Sequence, residues 1–100
     1  MTVVHVLKKA GDFAEDKDLA AEIRENTIQP EVAARKTVTL DFTGVTLVTQ
    51  SFVHALIADV LRTHGENTLK HLVFKGCSDG VRGIIETVVQ YSLETADDDD

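Results

Sequence analysis

The sequence predicts a small α/β domain, ordered β-α-β-α-β-α, in two or three layers with a mainly parallel sheet. Three observations predict it. Short β-branched runs stand near residues 2–7, 37–42 and 71–75. After each of them the apolar residues switch to three- and four-residue spacing, which marks helices with one buried face. The chain has 100 residues, 43% of them hydrophobic, enough for one modest core. Strands joined by helices run parallel with right-handed crossovers, and the helices cover the sheet. The first strand is expected between the other two.

Val3-Val4-His5-Val6-Leu7 is the first strand, closed by a turn over Lys8-Lys9-Ala10-Gly11-Asp12. Residues 12 to 31 carry seven acids against Lys17 and Arg24. Within them Leu19, Ala20, Ile23 and Thr27 share one helical face, and Asp16 or Asp18 suits the cap. Such a charge run is a solvated face or a surface recognised by a basic partner. Pro30 cannot occupy a helix interior without losing a hydrogen bond, and opens a short second turn through Val32-Ala33-Ala34. In the second strand, Val38, Leu40 and Phe42 alternate with Thr37, Thr39 and Asp41. Thr43-Gly44 is a turn, and Val45 to Val48 continues extended. The pairs Phe52-Val53, Leu56-Ile57 and Val60-Leu61 then recur once per helical turn, with Gly65 as C-cap. His71 to Phe74 is the third strand. Ser78 or Asp79 caps a last helix whose face is Val81, Ile84-Ile85 and Val88-Val89. Residues 1–93 form the single domain. Residues 94–100 form an acidic C-terminal tail that buries nothing and is expected to be disordered.

The formal net charge is −7, and Asp97 to Asp100 supply four of those charges, leaving −3 for the body. Nucleic acid needs clustered Lys and Arg, and anionic membranes need the same, so neither is an expected partner. The start lacks the basic and long apolar regions of a secretion signal, and no apolar run is long enough to span a bilayer. Cys77 is the one cysteine, so no intrachain disulfide forms and a reducing compartment is expected. A cytoplasmic domain is the reading.

No motif carries an evident chemistry. Neither phosphate-binding glycine fingerprint is present. His5, His54, His64 and His71 never fall at the i, i+4 spacing of a helical zinc site, and one cysteine cannot supply a cysteine-rich one, so no metal and no cofactor are expected. Cys77 lacks a recognisable base and reads as a half-buried thiol. Asp41 reads as a carboxylate bonding turn amides, and Gly44 as a positive-φ position. The informative stretch is Thr49-Gln50-Ser51, three small polar residues where a helix begins. Thr49 or Ser51 is expected to cap that helix, which is compatible with the loop receiving a partner. His54, in the first turn, would touch that partner.

Three stretches carry a family resemblance: Leu40-Asp41-Phe42-Thr43-Gly44-Val45, Val48-Thr49-Gln50-Ser51-Phe52, and Cys77-Ser78-Asp79-Gly80-Val81-Arg82. They resemble the STAS-like family of unknown function, a small relative of the anti-sigma-factor antagonist (STAS) domains. In those antagonists the corresponding loop reads Asp-Ser-Ser-Gly, and its first serine is phosphorylated by a kinase with a GHKL-type ATPase fold. The resemblance places that Asp on Thr49, the phosphoacceptor on Gln50, the second serine on Ser51 and the glycine on Phe52. Gln50 has no hydroxyl to phosphorylate. The resemblance therefore implies a non-enzymatic regulatory module that contacts another protein, an ATPase or kinase among the candidates, through Thr49, Gln50, Ser51, Phe52 and His54. Phosphorylation of Ser51 or Thr49 is the subordinate expectation. The alternative is a small-ligand-binding or enzymatic α/β domain using the carboxyl ends of the strands. A third possibility is an antitoxin-like or structural partner that contributes a sheet edge, since two free edges permit strand addition or dimerisation; a monomer or a weak homodimer is expected.

Overall fold

The structure is a computed structural model that describes residues 2–97. Three parallel strands form the main sheet: β1 (Thr2–His5), β3 (Val38–Asp41) and β5 (Leu72–Lys75), in the order β1-β3-β5. The expected parallel α/β architecture holds, but the middle strand is β3 rather than β1. Burial explains the difference. Val38, Thr39 and Leu40 are all buried, Thr39 between the flanking strands on the outer face, whereas β1 buries Val4 alone. A strand with one buried residue fits an edge. The first strand also stops at His5, and Val6–Ala10 turns at once into a short helix, α1.

A second, two-residue ladder pairs β2 (Phe13–Ala14) with β4 (Leu47–Val48), again parallel. The extended segment read at 45–48 thus belongs to a separate small sheet. Each of its strands runs directly into a helix: β2 into α2 (Lys17–Ile23), β4 into α4 (Gln50–Val53).

Both helices continue through a wide π turn. Arg24–Ile28 joins α2 to α3 (Gln29–Ala33), and His54–Ala58 joins α4 to α5 (Asp59–His64). The first π turn accommodates Pro30. The ladder slips just before the proline, which then sits in the opening turn of α3, where a missing N–H is not needed. The chain remains helical past the point where the sequence suggested a break. The second helix runs unbroken from 50 to 64, and each apolar pair read from its spacing is buried: Phe52, Val53, Leu56, Ile57, Val60 and Leu61 are at most 1% exposed. Helix α6 (Asp79–Asp97) adds Val81, Ile85 and Val88 to the same core, and Ser78 caps it by accepting from the Val81 amide at 3.3 Å. It reaches Asp97, so residues 94–97, read as part of an acidic tail, are helical; Asp98, Asp99 and Asp100 lie outside the described residues.

The inner face of the sheet, Val4, Val38, Leu40, Phe42 and Leu72, packs on this helical layer. The opposite face carries Val3, 48% exposed, and Val73, 46% exposed, on either side of Thr39. The domain is therefore two-layered.

Candidate functional site

The small ladder sets the geometry of the loop that follows it. The amides of Thr46 and Leu47 donate to the Asp12 carbonyl (2.8 and 3.2 Å), and the Thr49 amide donates to the Ala14 carbonyl (3.0 Å). Two parallel strands held in this register deliver two helix starts side by side. Asp16 caps α2, accepting from the amides of Asp18 (3.0 Å) and Leu19 (3.2 Å). Thr49 caps α4, its hydroxyl accepting from the Phe52 amide at 3.1 Å. Of the two candidate caps in the second loop, Thr49 is the one used, and Ser51 is exposed.

Gln50 and Ser51 are exposed, His54 is half-buried, and together with Lys17 and Ala55 they line a shallow depression of about 430 Å³. Three of the five expected contact residues thus share one concavity. Thr49 stands at its edge as the cap. Phe52 does not belong to the surface: it is 0% exposed and is one of the largest core side chains. A residue directly after the loop points inward because the helix must bury its first apolar pair. Lys17 and Ala55 were not read from the sequence. No periodicity shows that a two-residue ladder will lay α2 against α4.

The neighbouring π turns are tied together. The Arg24 guanidinium donates to the Ala55 carbonyl (2.8 Å) and pairs with Asp59 (3.4 Å) and Glu25 (3.4 Å). This crosslink fixes α2 relative to the helix carrying Gln50, Ser51 and His54. The positive ends of both helix dipoles and Lys17 face the depression, and the carboxylate of Asp16 offsets part of that field.

A second group of polar residues gathers at the carboxyl ends of the main strands. His5, Asp41 and Lys75 stand in one cross-strand row. The His5 Nδ1 lies 3.5 Å from Asp41 Oδ2. The Asp41 carboxylate accepts from the Thr43 hydroxyl (2.6 Å) and the Thr43 amide (3.0 Å), as its position before a turn suggested. Those bonds, first the hydroxyl's and then the amide's, hold its pKa below the ordinary aspartate value; desolvation opposes them, and Lys75 and His5 add less. Gly44 has the positive φ expected of it, 86°, with Leu7 lying against it. Nearby Cys77 borders a smaller cavity of about 210 Å³ with Phe74, Arg82, Ile85 and Glu86. Burial pushes the Cys77 thiol up, Asp41 adds to this, and Arg82 opposes it, so the thiol is protonated at neutral pH. His54, His64 and His71 do not join this cluster, and among the described residues no three His, Cys, Asp or Glu side chains converge as metal ligands. No helix among them is long and apolar enough to cross a membrane.

Residues 20–82, well over half of the chain, match the family described as a STAS-like domain of unknown function. The chain belongs to this STAS-like family. No curated protein and no solved structure matches it. The matched span of the STAS-like domain opens inside α2 and closes in the first turn of α6. It contains Gln50, Ser51, His54 and Ala55, while Lys17 and the strand β2 precede it.

Proposed function

We propose that this STAS-like domain is a non-enzymatic regulatory module of the cytoplasm that docks another protein at the start of the helix beginning with Gln50. One observation carries the reading: Thr49 alone caps that helix, which leaves the exposed side chains of Gln50 and Ser51 free of structural duty beside Lys17 and His54. Exposed polar residues on a rigid helix start, backed by the Arg24 crosslink, suit recognition by a partner. The two π turns beneath the loop support the same reading, since such turns frequently accompany functional sites.

The resemblance to anti-sigma-factor antagonists extends the proposal to a GHKL-type ATPase or kinase as the partner. Gln50 at the phosphoacceptor position favours constitutive docking, with Gln50 exchanging neutral hydrogen bonds. The Thr49 hydroxyl is engaged by the Phe52 amide, so Ser51 is the better placed of the two hydroxyls for phosphorylation. The rival reading, chemistry at the carboxyl ends of the strands, draws on the His5–Asp41 pair. The protonated state of Cys77 weighs against a thiol nucleophile there.

The test is a Gln50→Asp variant, melted and used in a pull-down from native lysate with and without ATP. The helix dipole tolerates the new charge, so folding survives within about 1 kcal/mol. Partner capture falls, because the charge must be desolvated against a surface built for a neutral amide. Capture at the wild-type level would show that the loop is not the docking site.

A further inference from the structure

Phe13 and Leu47 are 47% and 55% exposed, and they face each other across the β2–β4 ladder. Their ladder neighbours Ala14 and Val48 point inward and are buried. Paired parallel strands lie about 4.8 Å apart, so the two exposed side chains form one apolar ridge rather than two scattered ones. Leu7, 40% exposed, rests on Gly44 in the loop leading to Leu47 and extends the apolar area at this end of the domain. The core does not need these side chains, since the outward side of a two-residue ladder is satisfied by any polar β-former. Contiguous exposed apolar area of this kind marks an interaction site.

The charge around the ridge specifies its partner. Asp12, Glu15, Asp16 and Asp18 are all exposed and flank Phe13 along the chain, against Lys17 alone in that stretch; Lys8 and Lys9 precede it on α1. A second copy of the chain is a poor occupant. It carries the same net charge of −7, and a symmetric contact would bring one acidic rim onto the other. The same rim repels an anionic bilayer.

We propose that Phe13 and Leu47 are the apolar anchor of the docking surface, and that the partner is a different protein presenting an apolar pocket rimmed by lysine and arginine. This rests on the reading that the domain docks a protein, and adds the recognition chemistry. The ridge and the depression adjoin, because β4 ends one residue before Thr49, and β2 ends two residues before the Asp16 cap.

The experiment places the photo-reactive residue benzoylphenylalanine singly at positions 47, 13, 50 and 91 of the full chain in its native cell. Position 91, the exposed Tyr91 on α6, is the control. Crosslinked peptides are then identified by mass spectrometry. The expected result is one foreign protein captured at 47 and 13, through a peptide whose apolar residues are flanked by Lys or Arg. Yield at 47 should exceed that at 91, and should fall about tenfold or more when Asp12→Lys and Glu15→Lys are added, since rim charges steer association. Capture of this chain itself, of lipid, or of an acidic or neutral peptide overturns the proposal, as does equal yield at 47 and 91 or no response to charge reversal. Capture at 50 without capture at 47 overturns the ridge and leaves the docking loop standing. No capture at any of the positions overturns both.

Discussion

Replacing Thr49 by Ala removes one acceptor from one amide, and the consequence can be worked from the structure. The Thr49 hydroxyl sits 3.1 Å from the Phe52 amide, and Thr49 is half-buried, so water replaces the lost acceptor only in part. Loss of such a cap costs about 1–2 kcal/mol. For a domain of this size that lowers the melting temperature by about 4–16 °C. Ser51 makes the comparison informative. It is exposed one residue into the helix, and Ala is the better helix former there, so Ser51→Ala stays within about 0.5 kcal/mol of wild type. Thr49→Ser keeps the oxygen and recovers most of the loss. The assay is thermal melting followed by circular dichroism at 222 nm, with pull-down on the same samples. The reasoning fails if Ser51→Ala melts lower than Thr49→Ala, or if Thr49→Ser does not rescue. It also separates stability from recognition, because Ser51→Ala should leave the fold intact while probing the docking surface.

Gly76→Ala should cost about 2–5 kcal/mol in chemical denaturation, combining left-handed strain with overpacking. A Cβ on Gly76 (φ 70°) would stand 2.8 Å from the Thr43 backbone nitrogen, whereas at Gly44 it meets only the Leu7 side chain, which can swing aside; equal losses for the two Gly→Ala variants would refute this. Arg35 closes α3 with φ 62°, the Lys36 amide donating to the Glu31 carbonyl (2.8 Å) and the Arg35 amide to that of Val32 (2.9 Å), so Arg35→Gly should raise the melting temperature by a few degrees. A lower melting temperature would show that the Arg35 side chain contributes more than its strain costs. The depressed Asp41 pKa means that its contribution to stability is present above the ordinary aspartate pKa and is lost as pH falls through the folded value. Thr43→Val should move the Asp41 carboxyl titration, followed by NMR, back toward the ordinary value, and an unmoved titration would remove the hydroxyl as its main cause.

The parts of the fold legible in the sequence are those with a repeating burial pattern. Phe52-Val53, Leu56-Ile57 and Val60-Leu61 repeat often enough to survive a π turn in the middle of their helix, because a one-residue slip still leaves the pairs facing the sheet. Val38, Leu40 and Phe42 alternate, and all are 0% exposed. Strand order was not legible. Three short β-branched runs look alike, and what distinguishes the middle one is a strand on each side of it, a property of its neighbours rather than of its own residues. The helical stretch to Asp97 was likewise hidden, because Glu94, Thr95, Ala96 and Asp97 include no large apolar residue to continue the face of the helix before them.

The candidate site divides along the same line. Small polar residues before an apolar helix announce a cap, and sequence correctly narrowed it to Thr49 or Ser51. Which hydroxyl reaches the Phe52 amide depends on where the helix starts, and that is fixed by the Thr49 amide bonding to the Ala14 carbonyl. Lys17, Phe13 and Gln50 are brought together by a ladder of two residues per strand, too short to leave a period in either segment. The acidic run at 12–31 reads as a solvated face or a basic partner's target, and the ladder sets only its opening residues, up to Lys17, beside the loop at 49–51. On the proposed reading, the ladder presents the docking surface while the main sheet holds the core. Changing the ridge without breaking the ladder should separate the two: a Leu47→Asp change buries no new charge, since Leu47 is 55% exposed, but it puts a carboxylate in the middle of the apolar ridge. Because the main sheet and core are untouched, such a variant should fold and lose its partner, and a variant that unfolds instead would mean that the ridge belongs to the core after all.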